Sequence, residues 1–289
     1  MRLLDTSSMS GRLTDIAVAQ ALRLPVKPLT NQTVVIRLLL LVLAVTTVYA
    51  FTTIDYDSID LAKATADTLA NLKIIFLYPD GARLSFSKAL YEVVITLGLA
   101  FLSTLFGATA ALFLGLLGAQ NLAPKLVTNI VKVFVALIRA VPTILWVLIF
   151  AVTAGLGAAA AVIGMAFHSV SYLTKAYAES FEDLDRSVIE ALKASGANWW
   201  QIVFQAVIPS SFTYLLSWTF LRFEINFATA VAMGAAAGAS GVGFDLFMAS
   251  GYYFDLREVG LITYIILAFA LALETIATRM KSRIKDHHV

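Results

Sequence analysis

Long stretches without a charged residue restrict the fold of this chain more than any other feature of its sequence. Three of them span residues 38–54, 93–124 and 140–174. A helix needs about 20 mainly apolar residues to cross the hydrocarbon core of a bilayer. Only 14% of the residues are charged and 60% are hydrophobic, whereas soluble domains average about 25% charged. So few charges cannot cover the surface of a soluble protein, and we predict an all-α polytopic membrane protein.

Six transmembrane helices are predicted from this pattern. The stretch 140–174 is too long for one helix, and the Gly-containing segment 153–157 is the natural break between two. A later span is interrupted by Arg222 and Glu224. The predicted spans are Leu38–Ile54, Val93–Gly118, Val133–Val152, Ala158–Ala178, Phe212–Ala235 and Val259–Ala277.

The distribution of positive charge predicts that both termini are cytoplasmic. Most of the 21 Lys and Arg residues fall on one side of the membrane in this topology, as expected for cytoplasmic segments. The residues predicted to lie outside are Lys63, Lys73, Arg83, Lys88 and Arg257. Val48-Tyr49-Ala50 resembles a signal-peptide cleavage site, but the apolar run begins far from Met1 and is long for a signal core, so we expect an uncleaved anchor.

The predicted organisation has five parts. They are a cytoplasmic tail (1–33), a first transmembrane helix (34–54), an external loop (55–88), a five-helix core (89–278) and a basic cytoplasmic tail (279–289).

The external loop contains apolar positions typical of an amphipathic helix, which is ended by Pro79-Asp80-Gly81. These apolar positions are Ile59, Leu61, Ala62, Leu69, Leu72 and Ile75. This helix could dock an external protein or lie on the lipid surface.

A helix-turn-helix hairpin is predicted on the cytoplasmic side, between the fourth and fifth spans. A short helix with apolar Val188, Ile189 and Leu192 ends at Gly196, which can adopt the left-handed conformation of a helix C-cap. A second helix follows and runs to Pro209. Trp199 and Trp200 open that helix, and Trp is enriched at membrane interfaces.

This hairpin resembles the coupling loop of permeases from ATP-binding-cassette (ABC) importers. Glu190, Ala191, Gly196 and Pro209 stand at the positions of that family's pattern. The sequence departs from the pattern at three apolar positions, Leu192, Ala206 and Ile208. The resemblance implies the type I importer permease fold, with a coupling loop at 182–209 that docks on a dimer of cytoplasmic ATPases. The chain has no Gly-x-x-x-x-Gly-Lys-Ser/Thr loop, so we expect no cofactor in this chain, with ATP and Mg bound by the partner ATPase.

Two further segments are similar to phosphonate-transport permeases. They are Leu221–Asn226, followed by the Gly-rich run Gly234–Gly243, and the loop Gly118–Pro124. The resemblance implies import of a phosphonate, phosphite or phosphate through a bacterial-type inner membrane. It also implies a second permease subunit, identical or paralogous, and an external substrate-binding protein. A permease for another small solute is the alternative cargo assignment.

Charged and polar residues within the fifth span are candidates for the translocation pathway. An ionised group at bilayer depth faces protein or a water-filled cavity rather than lipid. Arg222 could offer a cation to a passing oxyanion, with Asn226 one turn away as a donor, and Glu224 on another face. The alternative is a structural ion pair with another span, involving Arg139 or Glu274.

A basic stripe precedes the third span. Lys125, Lys132 and Arg139 recur every seven residues, so we expect a helix along the cytoplasmic surface that enters the membrane near Arg139. Pro142 then permits a kink, because its ring removes a backbone donor. Arg139 and Pro142 resemble a similarly placed Arg-x-x-Pro of these permeases, which makes them candidate pathway or gate residues. Snorkelling is the alternative for the two lysines.

The small residues after the fifth span predict close helix packing. Gly234, Gly238, Gly241 and Gly243 could form a gate or dimer seam, or serve packing within the subunit. His168 is expected to be a hydrogen-bonded polar group rather than a metal ligand.

Other classes of function find little support in the sequence. It has no Cys, three His and a net charge of +2, so neither a catalytic nor a metal site is predicted, and nucleic acid is not an expected partner. An ion-driven secondary transporter should show internal repeats with broken helices, and none is evident. A membrane scaffold would leave the charged residues within the spans without a purpose. A membrane enzyme would need a cluster of His and carboxylate residues for catalysis, and the sequence shows none.

Overall fold

The computed structural model describes residues 31–54, 60–81 and 83–286, with side chains for all of them except Asn31 and residues 280–286. The predicted tail at 1–33 lies almost entirely outside these residues, as do residues 55–59 of the external loop. All regular elements of the described part are helical, in agreement with the predicted fold class. The helices are α1 (Asn31–Thr53), α2 (Leu61–Leu77), α3 (Phe86–Gly118), α4 (Lys125–Ala140), α5 (Thr143–Ala154), α6 (Ala158–Glu182), α7 (Arg186–Ala194), α8 (Trp199–Ile202), α9 (Ile208–Ala237), α10 (Val242–Phe247) and α11 (Leu256–Asp286), with π-helical turns at Val203–Val207 and Met248–Tyr252.

The chain divides into two compact units, residues 1–64 and 65–289. The first contains α1, whose apolar side chains are exposed and whose threonine hydroxyls donate to its own backbone, as Thr47 does to Leu43 at 2.7 Å. An apolar helix with its backbone and hydroxyls satisfied internally suits a lipid environment. The helix predicted in the external loop is present as α2.

The second unit is built around α6, which packs against α3, α5 and α9. The small and apolar residues of its 25-residue length are mostly buried. Two apolar clusters form the interior. One includes Val93, Met165 and Phe227, and the other includes Leu173, Phe181 and Val207. Each of α3, α6 and α9 contributes to both clusters, so these three helices form the centre of the bundle.

The predicted third span, Val133–Val152, is wrong as one continuous helix. The chain breaks at Val141 and Pro142, and α4 and α5 meet at a bend of 87°. Pro142 has no backbone N–H and disfavours a helical residue before it. The predicted kink is therefore confirmed, although it is sharp enough to make two helices. The amphipathic α4 buries Val131, Val135 and Ile138 along one face.

The six predicted membrane crossings are not all recovered by helix length and hydropathy, so the number six stays a prediction. Within the described residues, α1, α3 and α11 are long and apolar enough to cross, and two bent helix pairs bring the number to at most five. The predicted fourth span coincides with α6, which has the length of a span. Polar side chains such as Ser169 and Ser171 are buried against its neighbours, and they lower its hydropathy.

The Gly-rich segment folds the chain back onto α9. Gly238 ends α9 in the left-handed region at φ 59°, and the next helical segment leaves at 61°. Gly243 lies so close to α9 that a Cβ there would meet the carbonyl oxygen of Val231 at 1.8 Å. Of the two interpretations of these glycines, this geometry supports packing within one subunit.

Candidate functional site

The hairpin predicted between the fourth and fifth spans is present, and its first helix begins at a capping residue that the sequence prediction did not single out. Asp185 is the N-cap of α7, and its carboxylate accepts a hydrogen bond from the Ser187 amide at 2.9 Å. This bond and one from the Ser187 hydroxyl lower the pKa of the fully exposed Asp185 below its usual 3.8. An ionised N-cap also interacts favourably with the helix dipole.

Gly196 terminates α7 as predicted, with φ at 87°. The Gly196 amide donates to the Lys193 carbonyl and the Ala197 amide to the Leu192 carbonyl, each at 3.0 Å. These two bonds define a Schellman motif, which requires a left-handed residue at the glycine position. No atom lies within 4 Å of a Cβ built on Gly196, so only the backbone conformation selects glycine here.

The second helix of the hairpin does not end at Pro209, contrary to the prediction. Asn198 and Gln201 form a reciprocal capping box at its start. The chain then continues through the π-helical turn at Val203–Val207 into α9 without a break. Pro209 has no backbone N–H, and its ring crowds the carbonyl group four residues earlier. The wider π-helical turn before it accommodates the missing hydrogen bond and the crowding, so the chain stays helical. A continuous helix therefore joins the hairpin to the centre of the bundle.

The inner face of the hairpin is fixed to the bundle by apolar and polar contacts. Ile189, Ile202 and Val203 are buried in the cluster that also contains Phe181. The Trp199 indole donates to the Leu122 carbonyl at 3.0 Å. The loop before α4 is held to the end of α6 in turn, since the Asn121 side chain donates to the Phe181 carbonyl at 2.7 Å and the Gln120 amide to Glu182 at 2.8 Å.

The outer face of the hairpin is exposed to solvent. Glu190 and Ala191 are exposed and Leu192 is partly exposed. Trp200 is 54% exposed and stacks on Phe204. The hairpin thus presents an exposed helix of about two turns on a support that is packed into the membrane bundle.

Arg222 lies in a polar belt between the two apolar clusters. It is 3% exposed. Its Nε donates to the Ser169 hydroxyl at 2.9 Å, and a terminal nitrogen lies 3.2 Å from Nδ1 of His168. The guanidinium also lies over the Tyr172 ring at 5.5 Å. His168 is therefore hydrogen-bonded, as expected from the sequence.

Asn226 joins three helices at the same level of the bundle. It is 0% exposed, and its amide nitrogen donates to Thr104 of α3 at 2.8 Å and to Ser169 of α6 at 2.9 Å. Among the described residues, Arg222 forms no ion pair with a carboxylate, so these residues give no support to the alternative of a structural ion pair between Arg222 and another span. The belt consists of hydrogen bonds between α3, α6 and α9. Glu224 is partly exposed and does not join it.

Arg139 and Pro142 do not join the hydrogen bonds of this belt, although Arg139 lines a small cavity together with Tyr172. Arg139 is exposed and lines a cleft of about 460 Å³ between α4 and α6, together with Lys132 and Lys175. Lys132 pairs with Glu182 at 3.8 Å. Pro142 stands at the bend after α4. The structure therefore separates the predicted pathway residues into a buried group on α9 and an accessible group around the α4–α5 bend.

Several residues of these sites could not be singled out from the sequence. Ser169 and Thr104 look like ordinary small residues of apolar helices, and only the fold brings them to Asn226. The contact from Trp199 to Leu122 spans 77 positions of the chain. The one available signal was the Asn-x-x-Gln spacing at 198–201, which is a capping-box pattern.

Comparison with known proteins places the chain among transport proteins. Residues 107–285 match the family described as binding-protein-dependent transport system inner membrane component. The phosphite transport system permease protein PtxC of Stutzerimonas stutzeri is 30% identical over 66% of this chain and 69% of its own length. The phosphate-import permease protein PhnE of Mycolicibacterium smegmatis is 29% identical over 65% of this chain and 35% of its own length. An inward-facing structure of the MetNI methionine ABC transporter has the same fold, with a TM-score of 0.60, 20% identity and coverage of 66% of this chain and 94% of that one.

Proposed function

The chain belongs to the family of binding-protein-dependent transport system inner membrane components, and we propose that it is the permease subunit of an ATP-driven importer. In this proposal it is a multi-pass protein of a bacterial-type inner membrane with both termini in the cytoplasm. It forms the translocation pathway with a second permease subunit, identical or paralogous. An external binding protein delivers the cargo, and a dimer of ATPases on the cytoplasmic side binds ATP and Mg.

The observation that carries the proposal is the hairpin at residues 182–209. Its buried face is packed into the bundle through Ile189 and Ile202, while Glu190 and Ala191 are exposed. The second helix continues into α9, so a displacement of the hairpin moves a membrane helix directly. A docked ATPase could in this way transmit the closure of its dimer to the bundle.

The proposed cargo is a phosphorus oxyanion, namely a phosphonate, phosphite or phosphate. The phosphite and phosphate permeases among the relatives support this assignment. An accessible cation, Arg139, on the cleft between α4 and α6 also fits an anionic cargo. We propose that Arg139, Pro142 and Glu224 lie along the pathway, and that the buried Arg222 and Asn226 hold its helices in place.

The coupling role is tested by reversing one charge on the hairpin. Glu190→Arg should abolish co-purification of the ATPase from native membranes and lower ATP-dependent uptake at least about tenfold, because the substitution places a bulky cation on the docking face. Asp67→Arg is the matched control, since Asp67 is an exposed carboxylate on α2. Retention of both the ATPase and transport by Glu190→Arg would overturn the proposed coupling.

The cargo is tested by uptake into proteoliposomes that contain the complete transporter and its binding protein. Phosphite, inorganic phosphate and methylphosphonate are each offered with ATP, and methionine serves as the comparison solute. Uptake of a phosphorus oxyanion is expected. Uptake of methionine alone would replace the proposed cargo while leaving the importer assignment intact.

A further inference from the structure

The cleft between α4 and α6 contains an unusual combination of charges. It is lined by three cations, Lys132, Arg139 and Lys175, and by two carboxylates, Glu179 and Glu182. Both carboxylates are already engaged. Glu179 pairs with Lys175 at 3.6 Å and Glu182 with Lys132 at 3.8 Å. Among the described residues Arg139 has no carboxylate partner, so the cleft carries one uncompensated positive charge.

A second, independent feature of the same cleft is an unsatisfied hydroxyl. Thr174 forms part of the wall, is 2% exposed, and its Oγ1 has no hydrogen-bond partner within the described part of the chain. Other hydroxyls of α6 donate to a carbonyl of their own helix, as Ser169 does to Met165 and Ser180 to Ala176, each at 2.8 Å. Buried polar groups without a partner are rare in folded proteins. The Thr174 hydroxyl is therefore a buried donor beside the cleft whose hydrogen bond is not made within the described part of the chain.

The chemistry of these groups selects a tetrahedral oxyanion. A guanidinium presents a planar set of donors that fits two oxygens of a phosphate or phosphonate at once. The two lysines are about half exposed, so they can turn toward a ligand without leaving a buried charge behind. The 460 Å³ volume is ample for a small oxyanion with several water molecules.

Arg139 also borders a smaller cavity of about 150 Å³ lined by Tyr172 and Trp218. The two rings meet edge to face, with centroids 6.1 Å apart. Anionic lipids carry phosphate groups that exposed basic residues attract. The phosphate group recognised at Arg139 could therefore belong to free cargo or to an anionic lipid.

We propose that the cleft between α4 and α6 binds a phosphorus oxyanion through Arg139 and the hydroxyl of Thr174. If the cleft binds cargo, this inference rests on the proposed function. If the cleft binds a lipid phosphate, it does not. On the predicted topology the cleft lies toward the same side of the membrane as the coupling hairpin. Cargo bound here would therefore be close to release into the cytoplasm.

The test measures binding to the full chain in nanodiscs, without a binding protein. Radiolabelled inorganic phosphate is added to discs of phosphatidylcholine, and retention of phosphatidylglycerol in mixed discs is followed by native mass spectrometry. Arg139→Gln should weaken binding of the phosphate group about tenfold or more, which is the worth of a charged hydrogen bond. Thr174→Val should weaken it several-fold. Lys88→Gln, which removes an exposed lysine on α3 paired with Asp245, should leave it unchanged.

Thr174→Val also separates binding from folding. The substitution removes an unsatisfied hydroxyl at nearly constant volume, so Tm should stay the same or rise while binding falls. Loss of free phosphate in the two variants assigns the site to cargo, and loss of phosphatidylglycerol assigns it to lipid. Unchanged binding of both probes in both variants, or no binding of either probe to the native chain, overturns the proposal.

The failure of this proposal differs from the failure of the proposed function. ATP-dependent uptake by the complete transporter is measured in parallel with binding. Native uptake of an oxyanion, with cleft variants that bind both probes normally, removes only the cleft site. Lack of uptake of every phosphorus oxyanion, with binding of phosphatidylglycerol lost in the variants, removes the proposed cargo and leaves a lipid phosphate site.

Discussion

The geometry of Gly196 makes the stability of the hairpin at residues 182–209 predictable. Gly196→Ala adds one methyl group at a residue with φ 87° and no atom within 4 Å of the new Cβ. The cost is therefore confined to the backbone, and the left-handed conformation costs about 1–2 kcal/mol for a residue with a side chain. Such a difference changes the equilibrium between the closed and the frayed hairpin by roughly 5–30-fold.

Hydrogen–deuterium exchange of the Ala197 amide measures this equilibrium, because that amide donates to the Leu192 carbonyl in the turn. Exchange in Gly196→Ala should be roughly 5–30-fold faster than in the native chain. Gly196→Asn should show a smaller increase, since Asn tolerates the left-handed region.

Gly155→Ala is the matched control for this measurement. Gly155 has φ 91° and equally open surroundings, but it lies between α5 and α6. Its replacement should leave exchange at Ala197 unchanged. Native exchange in Gly196→Ala would refute the argument that the Schellman turn closes the hairpin.

Three further predictions concern the bundle and the hairpin cap. Asn226→Leu should destabilise the protein by about 1–3 kcal/mol, seen as a lower Tm, because it removes the two hydrogen bonds that the Asn226 amide donates to α3 and α6, whereas Thr229→Val, whose hydroxyl bonds only its own helix, should cost less. Gly243→Ala should lower Tm by the equivalent of at least about 1–3 kcal/mol, because the new methyl group overlaps a carbonyl of α9; Gly251→Ala, with its nearest contact at 3.6 Å, should behave like the native chain. The depressed pKa of Asp185 adds hairpin stability that is present above pH 3.8 and is lost as the pH falls through the lower folded value, so hairpin opening followed by hydrogen exchange should increase below about pH 4 in the native chain, and Asp185→Asn should remove that pH dependence.

Local features of this protein could be predicted from the sequence because local chemistry determines them. The end of α7 depends on the conformational freedom of Gly196, and the break after α4 on the missing donor of Pro142. Each effect acts within one helical turn. The sequence therefore located both positions, although it did not indicate that the bend after α4 would reach 87°.

The prediction for Pro209 was wrong, and that for Arg222 found no support among the described residues, because neighbouring parts of the structure compensate for the local effect of each residue. Pro209 usually marks the end of a helix, but the π-helical turn before it keeps the chain helical. The unpaired charge of Arg222 suggested a carboxylate partner, yet hydroxyl and imidazole groups of α6 satisfy it. Such partners are set by which helices pack together, and no periodicity along α9 encodes them.

The unbroken helix from Trp199 to Ala237 has a mechanical consequence. At 1.5 Å per residue it is about 58 Å long, and it remains helical through the π-helical turn between the hairpin and α9. Twisting of its hairpin end about the helix axis would rotate Asn226 by a similar angle. The hydrogen bonds from Asn226 to α3 and α6 resist that rotation, so torque applied at the hairpin would first strain the polar belt at mid-height of the bundle.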